Sequence, residues 1–507
     1  MNPTDEQTAA ADAFHSGDHL ALQAGAGTGK TTTLTLLAHA TTRRGRYLAY
    51  NRAIAQDARA RFPATVQCKT AHALAYAALG HRYTRRLNAP RRPAWQTGQA
   101  LGITRALRIG DREVTPKALS NATLRTVTRF CHTADEAITY HHVPRLRGLD
   151  DTDLHAQLAA HVVPFAQKAW ADLQHPDDGA VRYDHDHYLK AWALTQPRIQ
   201  ADFLLLDEAQ DTNPVVEQIF LNQRDHAQLV MVGDSAQAIY QWRGAKDVMT
   251  GFDGTQLTLS RSFRFGPDLA AEANRWLRLA DAPIRLTGTA AVPTELGPVT
   301  QPDAVLCRTN VGAMAQVMAH MAAGHQVGLV GGGDSLQALA LAARDLKEGR
   351  RTHHPELILF PCWGDLQDYA THDPAGRDLQ PLVHLVDTHG TDSILRAVAR
   401  LAPELEAQVT VSTAHKAKGR EWPRVLVADD FDRAKDDITD DHQDTPRPPD
   451  PVDDAEARLA YVAVTRTRRR LDLGGLSWIL NHPDGSSTDP NRPHPPAMLQ
   501  PPAATGS

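Results

Sequence analysis

The chain has 507 residues, 42% of them hydrophobic and 22% charged, which is too long for one core and suggests about three or four domains. Residues 1–17 are polar and acidic, unlike a signal peptide, and no apolar run approaches the ~20 residues that span a bilayer. Cys68, Cys131, Cys307 and Cys362 form no CxxC pair, which argues against a disulfide framework, a zinc knuckle or an iron–sulfur cluster. A cytoplasmic protein with free thiols and no membrane partner is expected.

The net charge of −5 argues against a polyanionic partner only until its distribution is considered. Between Asp429 and Glu456 stand 12 acidic residues against Arg433, Lys435 and Arg447, a local balance of −9. The remainder carries 51 basic and 47 acidic residues, so one acidic segment hides a mildly basic body.

In chain order, the first apolar run is 20–23, followed by AGAGTGKT over 24–31 and a Thr/Leu/Ala stretch that reads as a helix. This strand–loop–helix pattern is a phosphate cradle. Gly25, Gly27 and Gly29 let consecutive backbone N–H groups of Ala26, Gly27, Thr28 and Gly29 turn toward one centre, with Thr32 following in the helix. Lys30 supplies a point charge for the outer phosphates and Thr31 a hydroxyl for Mg²⁺. The loop opens on Ala24 where the general pattern has glycine, a small residue that costs little there.

Further buried strands are expected at 47–50, before Asn51, at 203–206, before DEAQD, and at 229–232, before GDSAQ. Asp207 is placed to hold the metal that Thr31 touches, and Glu208 to orient or deprotonate an attacking water. A second set of apolar runs at 304–307, 327–330, 409–412 and 425–428 predicts another parallel sheet, so the fold class is α/β with two related cores. The expected domains are a first core from 1–79 and 198–256, a helical insertion at 80–197, and a second core from 257–349 and 404–481. A short insertion at 350–403 interrupts that second core, and 482–507 form a disordered tail. The acidic, Pro-containing stretch 432–454 reads as a disordered loop.

Arginines at 82, 85, 86, 91 and 92 read either as a solvated face or as a DNA contact, and those at 468–470 as a helix surface. In YDHDHYLKAWAL, residues 183–194, His185, Asp186 and His187 invite a metal reading. Three adjacent side chains diverge on a strand or helix, however, and rarely meet at one ion.

Taken in order, these strings resemble a superfamily 1A DNA helicase of the UvrD/Rep/PcrA type over residues 3 to about 480. The family's Q motif is matched by PTDEQ at 3–7, motif Ia by AYNRAIA at 49–55, motif Ib by TAH at 70–72, and motif II by DEAQD. Motif III resembles GDSAQAIYQWRGA at 233–245, motif IV LSRSFR at 259–264, motif V VSTAHKAKGREW at 411–422, and motif VI EARLAYVAVTRT at 456–467. The resemblance implies two RecA-like parallel-sheet P-loop cores with helical insertions and a small 2B region, and ATP with Mg²⁺ as cofactors. By the same resemblance Gln7 reads adenine, Phe263 stacks on it where the family has tyrosine, and Glu421 binds ribose. Gln237, Arg264 and Arg466 would reach the γ-phosphate, the two arginines from the second core. Such a finger is worth ~10³ to 10⁵ in rate in other nucleotide hydrolases.

Asn51, Thr70, His72, Tyr240, Trp242, Arg243 and His415 fall on positions that follow single-stranded DNA, with Trp242 stacking on a base. Stacking is worth ~1 to 3 kcal/mol per base, against about 1.4 kcal/mol for a duplex step. A ring at the fork therefore holds a freed base against reannealing. The implied partners are single-stranded DNA and DNA forks, together with unidentified loading or repair proteins. HDHYLK resembles a string of the F-box helicase branch, although no F-box is apparent. Three outputs fit the motifs: a 3′ to 5′ helicase, a DNA-stimulated ATPase that remodels protein–DNA complexes without productive unwinding, and a nucleotide-bound scaffold. Intact Lys30, Asp207, Glu208, Gln237 and Arg466 argue against the last.

Overall fold

The computed structural model describes residues 3–90, 92–110, 112–146, 149, 151–239, 249, 251–352, 354, 357, 360, 362–372, 379–432 and 451–485. Two compact units result, one of residues 1–266 and 282–292, the other of 267–281 and 293–507. Tyr240, Trp242, Arg243, most of the acidic stretch 432–454 and the tail beyond 485 lie outside the described residues.

The first unit is built on a six-stranded parallel sheet. Its strands are β1 (Leu20–Ala24), β2 (Gly45–Leu48), β3 (Val66–Lys69), β4 (Phe203–Leu206), β5 (Gln228–Gly233) and β6 (Thr255–Leu259), in the order β3-β2-β4-β5-β1-β6. The central strands β4 and β5 are buried at every position, as their unbroken apolar runs require. Helix α1 (Asp5–His15) covers one face, capped by Thr4 and Gln7 in a reciprocal box, and α2 (Lys30–His39) leaves the phosphate loop. Edge strands β3 and β6 are absent from the sequence expectation because VQCK and TQLTL alternate in burial and show no apolar run.

The helical insertion folds onto this sheet. Helices α3 (Ala71–Ala78), α4 (Pro116–Cys131) and α5 (His185–Leu194) share one hydrophobic cluster with Leu48, Leu204, Leu206 and Leu229. Arg86 is neither a solvated face nor a DNA contact. It is 4% exposed, and its guanidinium donates to the carbonyls of Asp172, His175 and Val181 and to the Asp172 carboxylate.

The second unit holds another six-stranded parallel sheet, of β7 (Glu295–Leu296), β8 (Ala304–Cys307), β9 (Val327–Leu329), β10 (Val409–Thr413), β11 (Trp422–Val427) and β12 (Thr467–Asp472), ordered β7-β12-β11-β8-β10-β9. Arg468, Arg469 and Arg470 therefore lie on a strand, not on a helix surface; the side chains of the edge-proximal β12 reach solvent between buried Thr467 and Leu471. Helices Trp363–His372, Gln380–His389 and Thr391–Ala399, expected as a separate insertion, pack Leu366, Leu385 and Ile394 into one cluster with Val305, Val317 and Val409.

The boundary expected at 256/257 is displaced. It would cut β6, which pairs with β1 from Leu20↔Thr255 to Ala24↔Leu259. Beyond β6, Arg261–Ser262 pairs in parallel with Thr287–Gly288, so residues 257–266 and 282–292 stay with the first unit. Helix Pro267–Leu279 belongs to the second.

Gly45 opens β2 where a Cβ would lie 2.3 Å from the Phe203 ring, itself packed edge-on to Phe14. Gly45→Ala is expected to destabilise the first unit by about 1–3 kcal/mol through overpacking. A lower urea midpoint in the full chain reads this out, and an unchanged midpoint contradicts the close contact.

Candidate functional site

The phosphate loop leaves the carboxyl end of β1, where parallel sheets of this kind place their ligands. Gly27 and Gly29 have φ of 75° and 80°, the left-handed region that a side chain disfavours. The loop is fastened to the segment after β6. Phe263 N–H donates to the Gly27 carbonyl at 2.8 Å, Ser262 Oγ to the Ala26 carbonyl at 2.9 Å, and Gly25 N–H to the Leu259 carbonyl at 3.2 Å. Thr28 is buried and donates to the Gly25 carbonyl. Thr32 Oγ1 accepts from Arg61.

These contacts bring Arg264 and Phe263 to the loop from within the first unit. The expectation that Arg264 acts from the second core is thereby corrected: it follows the Arg261–Ser262 strand pair by two residues and lies within the first unit. A Cβ on Gly27 would lie 2.6 Å from Arg264 Cβ, and one on Gly29 3.6 Å from Gln7 Nε2 and 3.7 Å from Phe263 Cε2. Gln7, Phe263 and Gly29 thus converge beside the phosphate loop. Gln7 Oε1 accepts from Thr4 N–H, and its Nε2 donates to Thr33 Oγ1 at 3.1 Å. One amide hydrogen and one lone pair remain for a ligand.

Asp207, at the end of β4, is 3% exposed. Its Oδ2 accepts from Thr31 Oγ1 at 2.8 Å and from the Tyr47 hydroxyl at 2.6 Å. Burial and the neighbouring Glu208 charge push this carboxyl above the ordinary range, while Tyr47, Thr31 and Lys30 pull it back. Two hard oxygens within hydrogen-bond distance, one of them a carboxylate, suit Mg²⁺, so Thr31 and Asp207 fit the implied metal. Tyr47 is missed by sequence reasoning, because in the strand YLAY it reads only as core; burial and the Asp207 charge hold its phenol protonated.

Glu208 has φ 52° and ψ 47°, an uncommon conformation for a residue with a side chain. Its Oε2 lies 3.8 Å from Lys30 Nζ and accepts from Gln210 Nε2 at 2.7 Å. Gln210 Oε1 in turn accepts from Asp234 N–H at 2.9 Å, and Asp234 Oδ2 accepts from Gln237 Nε2 at 2.6 Å. A chain of amides therefore joins the ends of β4 and β5. Gln210 and Asp234 were legible as motif letters, though not as this link.

Other expected residues fall elsewhere. The side chains of Asn51 and Thr70 cap helices, accepting from Ile54 N–H at 2.9 Å and Ala73 N–H at 3.1 Å. Thr70 and His72 line a cavity of about 1550 Å³ in the first unit. Arg466, Glu421 and His415 belong to the second unit. Arg466 is 2% exposed and donates to the carbonyls of Val462 and Arg420 and to Thr465 Oγ1. Glu421 lies 3.5 Å from Arg468. Burial, together with Arg308, lowers the His415 imidazole below its ordinary value, opposed by Glu456.

A parallel sheet with a glycine loop entering a helix and a buried carboxylate facing the loop's hydroxyl defines a P-loop α/β protein. Residues 3–250 match the UvrD/REP helicase N-terminal domain and residues 391–476 the UvrD-like helicase C-terminal domain. The chain belongs to the UvrD-like helicases. It is 27% identical over 498 residues to F-box DNA helicase protein 1 of Schizosaccharomyces pombe, covering 91% of this chain and 56% of that protein. To F-box DNA helicase 1 of Gallus gallus it is 28% identical over 501 residues, covering 90% and 47%. The chain spans about half the length of these relatives. Among the described residues, no helix is long and apolar enough to cross a membrane.

Tyr47→Phe removes a donor that favours the ionised Asp207, so the carboxyl moves further up and metal binding is lost at a higher pH. Mg²⁺-dependent binding of a fluorescent ATP analogue should weaken about tenfold near neutrality, the range for a hydrogen bond to a charged group. Its acid limb should move to higher pH; an unmoved limb contradicts the role given to Tyr47.

Proposed function

We propose that this chain is an ATP-dependent DNA helicase that moves 3′ to 5′ on single-stranded DNA and separates duplexes during repair, recombination or replication. The observation that carries the reading is the meeting of Thr31, Asp207 and Tyr47 at the mouth of the phosphate loop, in a chain of UvrD-like family. Both relatives bear the name DNA helicase. Polarity and pathway rest on the family resemblance.

In this reading Gln7 and Phe263 hold adenine, Glu421 holds ribose, and Lys30 with the loop amides of residues 26–29 holds the phosphates. Bound Mg²⁺ supplies charge neutralisation at the outer phosphates, and Thr31 and Asp207 are its protein ligands. Glu208, oriented by Gln210, takes the proton of the attacking water. Gln237, Arg264 and Arg466 stabilise charge on the γ-phosphate. For Arg466 this role requires its guanidinium to release the Val462 carbonyl. His72, Asn51, Thr70, Tyr240, Trp242, Arg243 and His415 serve the strand.

Glu208→Gln is expected to retain ATP binding while hydrolysis falls by at least about a hundredfold, the range for loss of a general base. Lys30→Ala should lose both binding and hydrolysis. On tailed duplexes the wild type should separate strands bearing a 3′ tail and leave 5′-tailed ones paired, with Glu208→Gln inactive on both. Strong DNA-stimulated ATP turnover without strand separation would favour the remodelling ATPase. Trp242→Ala should raise the DNA concentration for half-maximal stimulation more than it lowers DNA-independent turnover; unchanged stimulation contradicts the stacking role.

A further inference from the structure

HDHYLK supplies no residue assigned to the nucleotide, yet its Asp186 lines the same cavity as Asp207. Asp186, in the first turn of α5, accepts from His72 Nε2 on Oδ1 and from His132 Nε2 on Oδ2, both at 2.9 Å. His72 stands on α3 and His132 directly follows α4, so one carboxylate bridges two helices. One turn further on, Lys190 is fully buried, and its ammonium donates to the carbonyls of Thr133 and Asp135 at 2.7 and 2.5 Å. That clamp fixes the loop beginning at His132. His185 and His187 turn away, to Tyr188 and to Asp184 N–H.

The charge state of Asp186 follows from its contacts. Burial opposes ionisation of Asp186, but the hydrogen bonds from His132 and His72 outweigh it and hold the carboxyl well below its usual range. A carboxylate only accepts, so each ring carries its proton on Nε2, and in the neutral ring Nδ1 is an acceptor. Among the described residues neither Nδ1 has a hydrogen-bond partner, and both rings line the 1550 Å³ cavity beside Thr70. Asp135, Asp207, Asp211 and Glu217 stand on its other walls, with Arg129 the one arginine among the lining residues. With the rings neutral, their Nδ1 acceptors and these carboxylates repel phosphate and suit the N–H groups of base edges.

We propose that His72 and His132, held by Asp186, form a two-ring contact to the amino edge of a nucleobase in the single strand, making His132 a binding residue and Asp186 a positioning residue. This rests on the nucleic-acid reading above. It also reassigns His72 from the DNA backbone, which the resemblance implies, to a base. The cavity therefore prefers a base carrying an exocyclic amino group to one that lacks it.

The test is anisotropy of 5′-labelled oligo-dC and oligo-dU of equal length with the full chain. At that edge cytosine presents an N4 amino donor and an N3 acceptor where uracil presents an O4 acceptor and an N3–H donor, and neither carries the thymine methyl. The wild type should bind oligo-dC about fivefold more tightly, the worth of one neutral hydrogen bond. His132→Ala, and His132→Gln as a milder second variant, should lower affinity for oligo-dC and leave oligo-dU within twofold, collapsing the preference. Asp186→Asn should do the same, and Asp186→Glu should recover part of it; in DNA-stimulated ATP turnover the loss should fall on half-saturation by oligo-dC rather than on the maximal rate. Equal losses on both oligomers would make the contact one to the backbone and overturn the inference, as would a wild type without preference. A wild type that binds neither oligomer removes the nucleic-acid reading itself.

Discussion

The nucleotide site depends on one buried carboxylate. Asp207 sits where solvent cannot stabilise its charge, and Thr31 and Tyr47, both donating to one oxygen, together with Lys30 favour its ionised form. The carboxylate and its two donors arrive on three different strands or their loops, β4, β1 and β2, which are adjacent or nearly so in a parallel sheet. The order β3-β2-β4-β5-β1-β6 is thus a condition for the chemistry. An antiparallel arrangement would send half of these strand ends to the opposite edge.

The same geometry explains why the site is rigid at its base. The amides of Gln210 and Gln237 and the Asp234 carboxylate link the turns after β4 and β5, so Glu208 and Gln237 are positioned by one hydrogen-bonded chain. Above the loop, Ser262 and Phe263 tie the segment after β6 to the backbone of Ala26 and Gly27. In the second unit the Arg466 guanidinium donates to the carbonyls of Val462 and Arg420. On the insertion side, Asp186 performs for His72 and His132 what Gln210 performs for Glu208: a buried or half-buried polar group fixes the orientation of another.

Much of this was legible in the order of residues. AGAGTGKT and DEAQD declare themselves because phosphate binding needs glycines, a lysine and a hydroxyl at fixed local spacing, and the strands before them are short unbroken apolar runs. The edge strands β3 and β6, and β12 beside the edge strand β7, were not legible. β3 and β6 bury alternate residues, and β12 opens as TRRRLD, whose arginines look like a solvated helix until pairing with β11 makes them a strand. Tyr47 stayed hidden for the opposite reason, since an aromatic residue in a buried strand is expected to pack, and its hydroxyl matters only once β4 lies beside it.

By itself the sequence determined the phosphate loop, the pair Asp207 and Glu208, the two parallel α/β cores and the family, all of which follow from local spacing and short-range propensity. Only the tertiary structure decided that Arg264 and Phe263 stay with the first unit, that Tyr47 steadies Asp207, that Arg86 is an internal brace, and that Asp186 joins two histidines 60 positions apart along the chain. Each of these depends on strand pairing or helix packing between distant segments, and no local pattern encodes which distant partner a polar side chain will meet.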